Sequence, residues 1–317
     1  MRVNKKMKGT QVSVVSIRKA HKQRKRTMPT STMQLFLSMM RNARSREMNR
    51  AMIGYSVEQK FPPVTREAIA EFARATCDDH PAYDSAQATA PPFFVGRLII
   101  PLVKDIWAHP SLKLNLLKTV QISQSVTWLA PIRQGDEISV RSRIQDIYST
   151  PRGEILQMSG TALVEGRVVM EGNIGFMVKS KNGSRTHRLP EEKPGPEVFR
   201  LLLPTVDGQQ LLYARASGDN NFIHTSSFLA RMAGLPRTIM QGACALAMIC
   251  TALTRHLVDN DITRPASIAG QFGKPVLPGE TLTIIGYRSE NENTVPFSVF
   301  NAEGKSVFRE GIFTIKV

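Results

Sequence analysis

The chain is poor in cysteine and tryptophan, and it lacks long apolar runs. Its 317 residues include three cysteines, Cys77, Cys244 and Cys250. Their spacing is neither paired nor metal-ligating, which argues against a disulfide framework and against a zinc site. No apolar stretch reaches the ~20 residues a membrane-spanning helix requires, so no integral membrane segment is expected. Acidic residues are scarce in one place only: residues 1–50 hold 14 Lys or Arg and a single acid, Glu47, against 28 basic and 25 acidic residues in the remainder. The formal net charge of +16 therefore lies almost wholly in the leader. The near-neutral remainder argues against nucleic-acid binding, which needs a basic face. Residues 1–52 are expected to be a disordered basic leader: an organellar transit peptide, a basic arm, or sequence upstream of the true start. A cytoplasmic location is expected, or a mitochondrial one if the leader is a transit peptide.

What is present is concentrated in residues 213–230, YARASGDNNFIHTSSFLA. Gly218 permits backbone angles closed to other residues, and Asp219, Asn220 and Asn221 favour turns and caps by bonding their own backbone. On such a bend a carboxylate and an imidazole five residues apart, Asp219 and His224, can converge on a volume that holds and polarises one water. That is the chemistry of hydration or dehydration. Without its surroundings the same pair would read as a capping aspartate and an exposed histidine. Ser217 and Asn221 either bond backbone in the turn or support the pair's geometry. Downstream, AGLPRTIMQGACALAMICTAL carries no charge between Gly242 and Arg255, which predicts a buried helix. Its N-terminus would offer unpaired N–H groups and the positive end of the helix dipole to a thioester oxygen, although Gly242 could equally serve close packing.

The chain also repeats itself. FARATCDDHPAY at Phe72 to Tyr83 aligns without gaps on YARASGDNNFIH at Tyr213 to His224, placing Cys77 on Gly218, Asp78 on Asp219 and Tyr83 on His224. Gly96 then parallels Gly242, Gly135 parallels Gly279, and Gly166 parallels Gly304. Two copies of one unit are therefore expected, over residues 53–180 and 198–317, with a charged linker at 181–197. Only the second copy keeps the pair, because a tyrosine, with a reference pKa of about 10, is a poor base at neutral pH. Cys77 also replaces the glycine that would allow the turn. The pattern predicts a helix over 65–76 with Thr65 as N-cap, a helix over 96–108, and strands over 119–132, 136–150, 154–166 and 167–180, an α+β class.

Residues Tyr213, Ser217, Gly218, Asp219, Asn221, Ile223, His224 and Ala230 fall in register on the signature of the MaoC-like family, which the C-terminal third of the chain resembles. The family comprises R-specific enoyl-CoA hydratases and 3-hydroxyacyl-thioester dehydratases of the hot dog fold. Phe222 departs from the signature where Pro is usual, and Gln241 departs where many members have His. The resemblance implies two tandem hot dog units imitating a homodimer, with the first unit's groove accommodating the acyl chain. It implies Asp219 and His224 as the catalytic pair, either one the base, and the Gly242 amide as oxyanion donor. No metal or redox cofactor is implied, only a substrate carried on coenzyme A or acyl carrier protein. Monomeric pseudo-dimer and homodimer are both compatible. A non-catalytic acyl-thioester binder and a hot dog thioesterase are the alternatives, since fold does not fix function.

Overall fold

A computed structural model describes residues 32–45, 47–180 and 195–317, together with the backbone of Arg24–Lys25. In chain order the elements are β1 (Arg24–Lys25), α1 (Thr32–Asn42), β2 (Ser56–Lys60), α2 (Arg66–Ala75), α3 (Gly96–Trp107), β3 (Thr119–Trp128), β4 (Ile138–Thr150), β5 (Gly153–Val164) and β6 (Arg167–Lys179). After the linker come β7 (Glu197–Pro204), α4 (Gln209–Ser217), α5 (Phe222–Thr225), α6 (Ser227–Met232), α7 (Gly242–Leu257), β8 (Pro265–Phe272), β9 (Thr281–Tyr287), β10 (Thr294–Phe300) and β11 (Ser306–Ile315).

Local chemistry accounts for the elements that matter most to the site. The Thr65 side chain caps α2 by accepting the Ala68 N–H at 3.2 Å, and Glu67 lies in the positive first turn. On α7 the buried residues include every position from Cys244 to Cys250. A helix apolar all round must lie inside the protein, and here it does. Along β4, Ile138, Val140, Ser142 and Ile144 face inward while the residues between them are more exposed, the period-two pattern of a strand with one covered face.

The strands form one sheet in the order β1-β2-β4-β5-β6-β3-β8-β11-β10-β9-β7. From β2 to β7 the order is a mirror image: β2 corresponds to β7, β4 to β9, β5 to β10, β6 to β11 and β3 to β8. The two units meet at the antiparallel β3–β8 pair, with Val126 opposite Ile268. Each half-sheet wraps one helix, α3 in the first unit and α7 in the second, which is the hot dog plan twice over. Helix and sheet approach closely: a Cβ on Gly160 of β5 would stand 1.9 Å from Ile99 Cδ1 of α3. One hydrophobic cluster runs through both halves and includes Leu102, Ile106, Leu246 and Leu253, all fully buried.

The leader expectation needs correction over its second half. Thr32–Asn42 is helical, and Met48 and Met52 belong to the core cluster. Ser38 of this helix is buried and its Oγ reaches the Trp107 carbonyl at 3.4 Å. The Met48 N–H donates to Glu154 Oε2 at 2.6 Å, so burial and a charge-assisted bond order what composition marked as free chain. The transit-peptide and basic-arm readings fall mainly on residues 1–31, which apart from Arg24–Lys25 lie outside the described residues. Most of the linker, 181–194, does so too, and β7 begins at Glu197. Among the described residues no helix is long and apolar enough to cross a membrane.

Because sheet and core are continuous between the units, the two should melt as one. We expect a single urea transition by circular dichroism and by tryptophan fluorescence, the latter reporting Trp107 and Trp128 of the first unit. Leu102→Ala should cost about 2–5 kcal/mol across the whole transition. Two separable transitions would show independent units.

Candidate active site

The second unit's turn is built by side chains that bond backbone. Ser217 Oγ donates to the Tyr213 carbonyl at 2.7 Å and accepts the Asp219 N–H at 3.1 Å. Gly218 follows α4 in the left-handed region, at φ 74°, where a residue without Cβ is favoured. Asn221 caps the short helix α5, its Oδ1 accepting the Ile223 N–H at 3.4 Å. These bonds point the chain from Asp219 into α5, where His224 sits one turn in. His224 is buried, 7% exposed, so the exposed-histidine alternative does not hold. Asp219 is half-buried.

Both members of the pair are tied to one short segment, residues 239–242. His224 Nδ1 lies 2.9 Å from the Ile239 carbonyl oxygen. A carbonyl only accepts, so this bond places the proton on Nδ1 and leaves Nε2 a free acceptor in the neutral ring. The Ile239 N–H in turn donates to the Ile223 carbonyl at 3.2 Å. Two residues on, Gln241 Nε2 donates to the carbonyls of Asp219, at 3.1 Å, and Gln210, at 3.0 Å. Four residues span at most about 14 Å, so Asp219, His224 and the tip of α7 share one neighbourhood. Among the described residues the Asp219 carboxylate accepts no protein hydrogen bond, and it makes none with His224. Both faces are left for solvent or substrate.

Gln241 stands in extended geometry at the N-cap of α7, with no side-chain cap bond. The Gly242 and Ala243 N–H groups consequently have no protein acceptor among the described residues, which is the open helix start the sequence predicted. A Cβ on Gly242 would lie 3.0 Å from Gln121 Oε1 of β3 and 3.0 Å from the Phe272 ring of β8. The first unit thus helps to wall the helix tip. Gln121 was not identified from the sequence, because its role follows from the β3–β8 join and not from any motif. Gln241, by contrast, was singled out as a departure, and its side chain is spent holding the Asp219 backbone. Phe222 opens α5 half-buried.

The equivalent place in the first unit is closed. Tyr83 Oη donates to Asp78 Oδ2 at 2.8 Å, and Thr251 Oγ1 from α7 donates to the same oxygen at 2.9 Å. Burial, then the Asp78 carboxylate, hold the Tyr83 hydroxyl well above its ordinary pKa, so it stays a donor. The helix start is occupied as well: the Gly96 N–H bonds the Phe93 and Phe94 carbonyls of the preceding 3-10 turn. One expectation fails here. Cys77 adopts the left-handed turn at φ 53° despite having a Cβ, at a cost of about 1–2 kcal/mol. Its Sγ lies 3.2 Å from Gln209 Oε1. The silent copy therefore kept the turn and lost the open groups.

The other described histidines and Trp128 are structural. His80 and His109 cap short turns through Nδ1, and His256 packs on Phe199 at 4.6 Å between ring centroids, whereas His187 lies outside the described residues. Trp128 is buried with its Nε1 2.6 Å from the Pro92 carbonyl.

Comparison with known proteins bears on the fold and family of both units. Residues 189–301 match the family model described as MaoC like domain, and residues 51–172 match that described as FAS1-like, dehydratase domain region. The chain is 29% identical over 184 residues to the enoyl-CoA hydratase ChsH3 of Mycobacterium tuberculosis, covering 55% of this chain and 63% of that protein. It is 31% identical over 180 residues to 3-hydroxyacyl-thioester dehydratase Y of the same organism, covering 53% and 61%. The chain thus matches somewhat under two thirds of the length of each. Among solved structures, the MaoC-like dehydratase of Phytophthora capsici superposes with a TM-score of 0.72 at 20% identity, covering 84% of this chain and 98% of that one. One unit matches each model: residues 189–301 belong to the MaoC-like domain family and residues 51–172 to the FAS1-like dehydratase region, and the paired architecture is that of solved double hot dog proteins.

Proposed function

We propose that the protein is a hydro-lyase that reversibly hydrates trans-2-enoyl thioesters to R-3-hydroxyacyl thioesters in fatty-acid metabolism. The carrier is coenzyme A or acyl carrier protein. One observation carries this reading: an imidazole nitrogen and a carboxylate, both without protein partners, open beside an unoccupied helix N-terminus. A nucleophilic hydrolase would need a nucleophile and base in hydrogen-bond contact. Here Asp219 and His224 make no hydrogen bond to one another, and this reading assigns one water to the two of them.

The chemistry follows from the placement. His224 Nε2 and Asp219 hold the water through its two hydrogens. As the water oxygen bonds to C3 of the enoyl thioester, one member of the pair takes the proton, and charge moves through C2 onto the thioester oxygen. The Gly242 N–H meets that oxygen as it becomes enolate-like, where a preorganised donor is most effective. C2 then receives a proton from the pair on the same face, so one water has been added and the pair is restored. The atoms balance without a metal or redox cofactor.

Asp219→Asn and His224→Gln should each lower crotonyl-thioester hydration by about 10²–10⁴-fold while leaving the circular dichroism spectrum unchanged. Loss of the conjugated enoyl absorbance with the thioester intact is the expected signal. Release of free thiol would identify a thioesterase, and binding with neither change a non-catalytic carrier. Gly242→Ala should reduce turnover by about 10²-fold, since its methyl presses on Gln121 and Phe272 and shifts the donor from the developing oxyanion. Dialysis against a chelator should leave the hydration rate unaltered; a loss restored by added metal would contradict the mechanism.

A further inference from the structure

We propose that Lys104, on α3 of the unit that has lost the acid/base pair, is a positioning residue for the catalytic turn of the other unit. This rests on the assignment of Asp219 to the reacting pair. Lys104 Nζ donates to Asn220 Oδ1 at 2.6 Å and to the Gly218 carbonyl, so one ammonium grips the residues on both sides of Asp219. Seven residues earlier on α3, two helical turns away on the same face, Arg97 donates to the Ala216 carbonyl at 3.0 Å and to Glu71 at 2.8 Å. Two cations thus face the C-terminal carbonyls of α4, the end of a helix that attracts positive charge.

The other supports of the turn come from different directions. Ser217 Oγ takes the Asp219 N–H from within the turn, and Gln241 Nε2 takes the Asp219 carbonyl from α7. Lys104 is the tie from the first unit, and it closes a three-sided frame around a residue whose carboxylate must stay unbonded to protein. The repeat makes this asymmetric: Lys104 stands eight residues after Gly96, and at the same distance from Gly242 stands Cys250, which is 1% exposed. Burial disfavours the charged form of Lys104, and the Asp219 carboxylate opposes that effect, so the ammonium and the carboxylate support each other. The silent unit therefore holds the active one in shape for chemistry.

The test compares Lys104→Met and Lys104→Arg with the wild-type chain by amide hydrogen exchange over residues 213–224 and by crotonyl-CoA hydration. In Lys104→Met the turn amides should exchange about tenfold faster, and kcat should fall about 10- to 100-fold with KM within about twofold. Lys104→Arg, which keeps the charge and the donors, should recover most of both. Unchanged exchange, unchanged kcat, or an equal loss in Lys104→Arg overturns the proposal. If the wild-type chain hydrates no enoyl thioester, the functional reading fails by itself, and faster exchange in Lys104→Met still supports the clamp.

Discussion

The Ile239 carbonyl oxygen takes the Nδ1 proton of His224 at 2.9 Å, and what this ring can do follows from that contact. A carbonyl has no proton to give, so the neutral ring carries its hydrogen on Nδ1 and presents a lone pair at Nε2. The same short segment ends in Gln241, which grips the Asp219 carbonyl, and in Gly242, which starts α7. Asp219, His224 and the helix tip are thereby tied to one segment by bonds to backbone carbonyls. Side-chain packing alone would leave the ring free to turn.

The duplicated architecture explains how one site persists where two are possible. In the first unit the residues at the corresponding places satisfy each other: Tyr83 fills Asp78, and a 3-10 turn fills the start of α3. Satisfied groups are inert, since nothing remains for a substrate to meet. In the second unit the equivalents are left open, at the cost of burying polar groups whose partners must come from elsewhere. The first unit repays this through contacts across the join, with Gln121 beside the helix tip and α3 cations on the C-terminal end of α4.

Much of this was legible in the sequence because it rests on local rules. Gly218, Asp219 and Asn221 punctuate a turn by their own backbone chemistry, Thr65 caps a helix, and the Gly96 and Gly242 spacing carries the repeat. The α+β class and the paired hot dog units followed from those signals together with the family signature. What escaped depends on contacts between distant residues. Met48 meets Glu154 across 106 positions, which no reading of a basic leader could anticipate. Cys77 takes a left-handed turn against its own preference, with its Sγ beside Gln209 of α4. Gln241 looked like a lost histidine until the carbonyls it holds were in view.

Nitrogen-15 NMR of the His224 ring, assigned by comparison with His224→Gln, tests the central claim most directly. The neutral ring should give a protonated Nδ1 and an unprotonated Nε2, the form that can receive a proton from water. A neutral ring with its proton on Nε2 would contradict the account, because that nitrogen would then be a donor and could not accept from the water.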